Sequence, residues 1–459
     1  MLRSIVKAYD IRGLVGLELT PAATHALGFA FGRLVREAPH FAQAIVIGHD
    51  MRDSSPELAR AFATGVVAAG PRVDFIGLAS TDMLYFASGV LDRPGAMFTA
   101  SHNPAAYNGI KLCLAGAKPI SLDTGLAAIR EDAAAVLDGL QDVPAPSIGR
   151  MVGSMVRRPM ATRYADYLLD LVDLRDSRPL RVVIDAGNGM AGYTVPTIFD
   201  RLPFTVEPMF FELDGTFPNH EANPLDPANL VDLQARVRTV GADIGLAFDG
   251  DADRCFVVDE RGEPVSPSAI TALVATRELR RHPGSTVLYN LISSRAVPQI
   301  VAEAGGRPVR TRVGHSFIKA EMARTGALFG GEHSAHYYFA DFYGADSGML
   351  AALHVLAALG DADVPLSRLA ARYRRYAASG EINSTVSDLP ESLRAIRSWA
   401  TARDADVDTL DGLTVSVSDD TWFNVRPSNT EPLLRLNVEA PTEDEMAGLR
   451  EEILAVIRG

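Results

Sequence analysis

At 459 residues the chain is too long for a single hydrophobic core, so roughly three or four domains are expected. Apolar residues make up 47% and charged residues 22%, the composition of a soluble globular protein; 57 acidic against 44 basic side chains leave a net charge of −13 and exclude a broad nucleic-acid or anionic-membrane surface. Two cysteines, Cys113 and Cys255, cannot form a disulfide framework and have no metal-ligand spacing.

The chain opens on MLRSIVKAYDIRG, charged throughout and lacking the apolar core of a signal peptide. Within it, KAYDIRG groups Lys7, Asp10 and Arg12 around Tyr9, a pattern that a terminal charge pair would also produce. Residues 44–78 then read as an apolar strand, a polar loop, a helix, a glycine and a second apolar strand. The same pattern returns at 181–212 and at 286–313, which predicts βαβ units on largely parallel or mixed sheets. A repeat of this length is too long for a solenoid, so related α/β domains are expected.

Between the first two repeats lies MFTASHNPAAYNGIKLC, where Ser101 stands beside His102. A serine hydrolase would prefer Gly-x-Ser-x-Gly, whereas Ser101 sits between Ala100 and His102. Neighbouring side chains on an extended chain point to opposite faces, so His102 is expected to be badly placed as a base for Ser101. The other reading is a serine that carries phosphate, which requires a cation nearby.

That cation has an obvious source in GLAFDGDADRCFVV, where Asp249, Asp251 and Asp253 alternate after an apolar strand. Three close carboxylates repel one another unless a hard cation neutralises them, and oxygen-only ligands favour Mg²⁺. An EF-hand is rejected, because Arg254 occupies its obligatory glycine position and strands flank the loop, despite Glu260 at the twelfth position.

Further on, VGHSFIK presents His315, whose ordinary pKa suits proton transfer. GGEHSAHYYF groups Glu332, His333, Ser334 and His336; its histidines lie three apart rather than four, so a zinc helix is not expected. A polar loop whose carboxylate and hydroxyl read sugar hydroxyls fits better. From about residue 369 the pattern changes to antiparallel strands and a final helix at TEDEMAGLREEILAVI, a smaller α+β unit. Between two of those strands, VRPSNTEPLLRL places Arg426, Ser428, Asn429 and Thr430 in a turn suited to an anion such as phosphate.

Taken in order, AYDIRG, TASHNP, DGDADR, GEHSAHYYF and RPSNTEP resemble the α-D-phosphohexomutase family over essentially the whole chain. The sugar loop resembles that of the phosphomannomutase/phosphoglucomutase branch, although phosphoglucosamine mutases share a related loop. The resemblance implies three related α/β domains with mixed sheets plus a C-terminal α+β domain, similar to the TATA-box-binding-protein fold, around a central cleft. The expected boundaries are 1–146 for the phosphoserine loop, 147–260 for the metal loop, 261–368 for sugar recognition and 369–459 for a phosphate-binding lid.

By the same resemblance, Ser101 is the phosphoserine, and it shares Mg²⁺ with Asp249, Asp251 and Asp253. Arg12, His102, Lys111, Arg254 and His315 match positions around the reacting phosphoryl group. Glu332, Ser334 and His336 match the sugar-binding loop, and Arg426, Ser428, Asn429 and Thr430 the site of the non-reacting phosphate. Some dual-specificity members carry a lysine where NLISSRAV has Ile292 or Ser293, and Arg295 is the residue expected to compensate. The implied activity is interconversion of hexose 6- and 1-phosphates by a phosphomannomutase, also acting as phosphoglucomutase, through a bound 1,6-bisphosphate that serves as activator. Alternatives are a phosphoglucosamine mutase and a metal-dependent phosphatase using Asp249 as nucleophile. A cytoplasmic monomer or homodimer binding small hexose phosphates is expected, with neither nucleic acid nor membrane as partner.

Overall fold

The computed structural model describes residues 2–38, 43–144, 154–427 and 433–458, with His315 described through its backbone alone. Four sheets follow one another along the chain. The first has seven strands: Ile11–Leu14, Tyr107–Leu114, Gly95–Phe98, Ala44–His49, Arg72–Leu78 and Met155–Arg157 lie side by side, and Lys118–Pro119 pairs with Tyr107–Leu114. Met155–Arg157, which falls inside the 147–260 range, thus completes the first sheet.

The second sheet orders Pro264–Val265, Cys255–Asp259, Ile244–Phe248, Arg181–Asp185 and Thr205–Met209. The third repeats this plan with Arg307–Thr311, Thr286–Asn290, Phe329–Gly331, Tyr337–Phe339 and Ala345–Asp346. In each of the three sheets a central strand pairs in parallel on both sides, and the next strand turns back antiparallel. The repeat read from residue pattern is therefore a real repeat of topology. Its apolar runs form strands because helices cover them on both faces; every residue of Ile244–Phe248 is buried.

This shared topology places three loops at equivalent points, where the last parallel strand ends and the chain reverses. They are residues 99–106, 249–254 and 332–336, the three stretches that carry the unusual chemistry. Each reversal uses a non-glycine residue in the left-handed region: Ser101 at φ +49°, Ala252 at +60° and Ala335 at +61°.

The fourth sheet, built from Ala377–Ala378, Ile382–Thr385, Asp406–Asp408, Leu413–Ser416, Trp422–Pro427 and Leu433–Ala440, is antiparallel throughout. Helices Leu389–Thr401 and Glu443–Arg458 pack on it, the α+β unit expected from the tail. One buried apolar cluster runs continuously through parts of the first three units, whereas the fourth has its own. The fourth unit meets the third through polar contacts that include Arg295, which donates to the carbonyls of Ser418 (2.7 Å) and Asp419 (2.6 Å). No helix of the described residues is long and apolar enough to cross a membrane.

Candidate active site

Ser101 is buried, and its Oγ donates to Asp249 Oδ2 at 2.7 Å. His102 Nδ1 lies 3.2 Å from the same Oγ. The expectation that His102 faces away from Ser101 fails for a definite reason. It assumed an extended chain, but Ser101 adopts a left-handed conformation that turns both side chains to one side. The hydrolase reading gains nothing from this proximity. Arg254 Nη2 donates to that same Nδ1 at 3.0 Å, so the ring is held as the Nε2–H tautomer. Burial, with Arg254 and Arg12 nearby, keeps its pKa well below the usual histidine range.

The Asp triplet is buried throughout. Lys111 Nζ bridges Asp251 Oδ2 at 2.7 Å and Asp253 Oδ2 at 2.6 Å, reaching them from the strand that follows the serine loop. Thr81 adds a 2.6 Å hydrogen bond to Asp251 Oδ2 and a 3.0 Å bond from its backbone N–H to the Asp251 carbonyl. Arg254 lies 3.4 Å from Asp249 through Nε. Burial opposes ionisation of Asp251 and Asp253, but Lys111, with Thr81 at Asp251 and with His336 and Arg254 at Asp253, holds both below the usual carboxylate range. Asp249 is pushed well above that range by burial and by its two acidic neighbours.

Lys111 and Arg254 thus leave the charge of three carboxylates incompletely compensated. Carboxylate oxygens of all three lie within 4.8 Å of one another, and Asp251 Oδ1 and Asp253 Oδ1 are buried with no hydrogen-bond partner among the described residues. An oxygen-only set with orphaned acceptors fits a hard divalent cation.

The third reversal loop closes against this centre. Backbones of Arg254 and His336 form an isolated antiparallel bridge, and His336 Nδ1 stands 4.0 Å from Asp253 Oδ1. Glu332 is buried and held by three donors: Tyr338 hydroxyl (2.6 Å), Gly314 N–H (3.1 Å) and Asn290 Nδ2 (3.3 Å). Ser334 is half-buried on the same turn. His315 begins the helix that follows Gly314, and its side chain lies outside the described set. Arg12, on the first strand, donates to Asp10 Oδ2 at 2.6 Å and to Asn103 Oδ1 in the serine loop.

In the fourth unit Arg426 and Arg435 face each other across neighbouring strands and share Glu381, at 2.6 and 3.2 Å. Ser428, Asn429 and Thr430 lie outside the described residues. The Arg295 guanidinium is occupied by the Ser418 and Asp419 carbonyls and by Ser416 Oγ at 2.6 Å. It docks one unit on another, and the expected compensation for a missing lysine is not made by this side chain.

Sequence reasoning missed several residues. Asp346 accepts from or pairs with His336 Nδ1 at 3.0 Å and Lys319 Nζ at 2.5 Å, fixing the imidazole from behind. Lys319 is the last residue of VGHSFIK, one helical turn after His315 and so on the same face, a signal available in the spacing. Arg435 pairs across the ladder from Arg426, which no local pattern marks.

Four sequence profiles match the chain in order. They are described as phosphoglucomutase/phosphomannomutase alpha/beta/alpha domain I at residues 3–137, domain II at 162–262, domain III at 266–376, and C-terminal domain at 381–456. A Xanthomonas campestris protein named as a phosphohexose mutase is 38% identical over 457 residues, 99% of either chain. The phosphomannomutase/phosphoglucomutase of Pseudomonas aeruginosa is 35% identical over 456 residues, 97% of this chain and 94% of that one. A crystal structure of a phosphoglucomutase/phosphomannomutase family protein from Burkholderia thailandensis superposes with a TM-score of 0.88 at 32% identity, covering 99% of this chain and 97% of the other.

Proposed function

The chain belongs to the phosphoglucomutase/phosphomannomutase family, the α-D-phosphohexomutases, and is a mutase; from that premise we propose that its cleft interconverts hexose 6- and 1-phosphates, mannose and glucose phosphates foremost, with Ser101 as the phosphoryl carrier. One observation carries the reading: the Ser101 hydroxyl is hydrogen-bonded to the first carboxylate of the Asp triplet, beside Lys111 and Arg254.

The phosphoryl group on Ser101 Oγ passes to the free hydroxyl of the bound sugar phosphate. The P–Oγ bond breaks, a P–O bond to the sugar forms, and the hydroxyl proton is taken up by the protein. The resulting 1,6-bisphosphate turns over in the cleft, and its other phosphate returns to Ser101. Asp249, Asp251 and Asp253, with the Ser101 phosphate, would hold Mg²⁺, which when bound supplies positive charge to the transferring oxygens. Lys111, Arg254 and Arg12 add cationic groups at the same centre, where the neutral His102 also sits. Glu332, Ser334 and His336 read hydroxyls of the sugar, and Asp346 orients His336. Arg426 and Arg435, with Ser428, Asn429 and Thr430, receive the non-reacting phosphate; Glu381 occupies the two guanidiniums when no phosphate does. Every group in this reading comes from one chain, which suits a monomer or homodimer, and a cytoplasmic location suits its small phosphorylated substrates.

The test is a coupled assay with mannose 1-phosphate and glucose 1-phosphate plus catalytic glucose 1,6-bisphosphate, together with intact mass. Turnover that depends on bisphosphate, and a phosphoryl adduct mapping to Ser101, are expected. A protein inert with bisphosphate and never phosphorylated on Ser101 would sink the proposal.

A further inference from the structure

The side chain that holds the serine loop in shape is Arg52, in the turn between strand Ala44–His49 and helix Ser55–Ala69. It is only 2% exposed, although guanidinium burial is costly. A guanidinium carries five N–H donors in a planar fork and no acceptor, so a buried one must find several oxygens at fixed angles. Arg52 finds them on the serine loop and on the first residue of the strand that follows it. Nη2 donates to the carbonyls of Ser101 (2.9 Å) and Asn103 (2.6 Å), and Nη1 to those of Pro104 (3.0 Å) and Tyr107 (3.0 Å).

The remaining nitrogen, Nε, lies 3.3 Å from Asp50 Oδ2. Asp50 is itself anchored, accepting from Ser55 Oγ at 2.6 Å and from the Arg52 backbone N–H at 3.0 Å. From the second unit, the Phe217 ring covers the guanidinium at 5.0 Å. Gly215 packs so closely that a Cβ there would come within 2.7 Å of Arg52 Cα. The Ser101 and Asn103 carbonyls accept from no other donor among the described residues.

Ser101 needs this support. A non-glycine residue in the left-handed region is strained and persists only where its surroundings over-determine it. In that conformation the carbonyl turns inward to Arg52, while Oγ turns outward to Asp249 and His102. We propose that Arg52 is a positioning residue for phosphoryl transfer: by gripping three carbonyls of the loop and that of Tyr107 it fixes Ser101 Oγ for attack on the phosphate at either end of the sugar bisphosphate. This rests on the reading of Ser101 as phosphoryl carrier. The four Nη donations of Arg52 all go to backbone and its Nε only stands beside the Asp50 carboxylate, so it acts on the transfer step and leaves sugar binding alone. Lysine offers three donors from a single atom and cannot span the four carbonyls.

Arg52→Met and Arg52→Lys, compared with wild type, test it by steady-state kinetics at saturating bisphosphate and by amide exchange of a peptide spanning 99–110. Expected are a fall in kcat of about 10²-fold, KM within about two-fold, and markedly faster exchange in both variants. Unchanged kcat and exchange in a folded variant would overturn the proposal, as would a loss confined to KM. Unfolding of both variants would also overturn it, reducing Arg52 to a purely structural residue. A wild type without mutase turnover removes the mutase reading alone, and the exchange comparison still decides whether Arg52 holds the loop.

Discussion

The hydroxyl of Ser101 donates a 2.7 Å hydrogen bond to Asp249, a residue 148 positions later, so the reversal loops of two different sheets meet in one bond. The proposed transfer needs that meeting, since a phosphoryl carrier and a cation site are useful only together.

Replacing Ser101 with Ala removes the proposed carrier and keeps the carboxylates. Mutase activity is expected to fall to the assay background, with no phosphoryl adduct by mass, while thermal stability changes little. Asp249→Asn should lower activity and metal affinity while Ser101 can still be phosphorylated. Phosphatase activity that survives in Ser101→Ala and vanishes in Asp249→Asn would instead support an aspartyl nucleophile.

Lys111→Met takes away the ammonium shared by two buried carboxylates. Breaking a buried pair typically costs about 3–5 kcal/mol, because the surviving charge is stranded. The variant should therefore melt well below wild type in EDTA and recover part of the difference in Mg²⁺. Calorimetry with and without the metal measures both; wild type, which keeps Lys111, should lose less on chelation.

Arg295→Ala tests the docking of the fourth unit. The lost hydrogen bonds to Ser416, Ser418 and Asp419 are each worth about 1 kcal/mol net. KM for both sugar phosphates should rise together, by several-fold, while the ratio of kcat/KM for mannose and glucose 1-phosphates stays unchanged. A changed ratio would mean that Arg295 contacts the sugar after all.

His354 gives a pH prediction. Burial, reinforced by Arg277 and Arg281, lowers its pKa to about 3, while the ring stacks on Phe339 and lies 3.8 Å from Glu278. An unfolded histidine titrates near 6.5, so between pH 6.5 and 3 the unfolded chain binds the extra proton. This contribution to stability is complete above pH 6.5 and is lost as pH falls. From pH 6.5 to 5 the loss is roughly 2 kcal/mol. Chemical unfolding of His354→Leu should show a shallower acid slope by about that amount.

Much of the site was legible in residue type and spacing alone. Three alternating aspartates between apolar strands point to a cation-binding cluster, because their mutual repulsion is local, and the fold brings their oxygens within 4.8 Å of one another. Three similar strand–helix–strand patterns announce three related units, because apolar periodicity reports local burial. Lys319 was readable too, one helical turn beyond a residue already singled out.

Other features needed the folded chain. The backbone turn at Ser101 depends on carbonyls captured by Arg52, about fifty residues earlier, and without it the proximity of His102 is misjudged. Arg295 looks like a cleft residue in the sequence and is a docking residue in the fold, since only packing decides which way a long side chain leaves its loop. By itself the sequence determined which chemistries were present and on which local elements they sat. Tertiary structure decided which of them touch: hydrogen bonds reach about 3 Å, and only the packing of repeated sheets brings groups so far apart in the chain within that range.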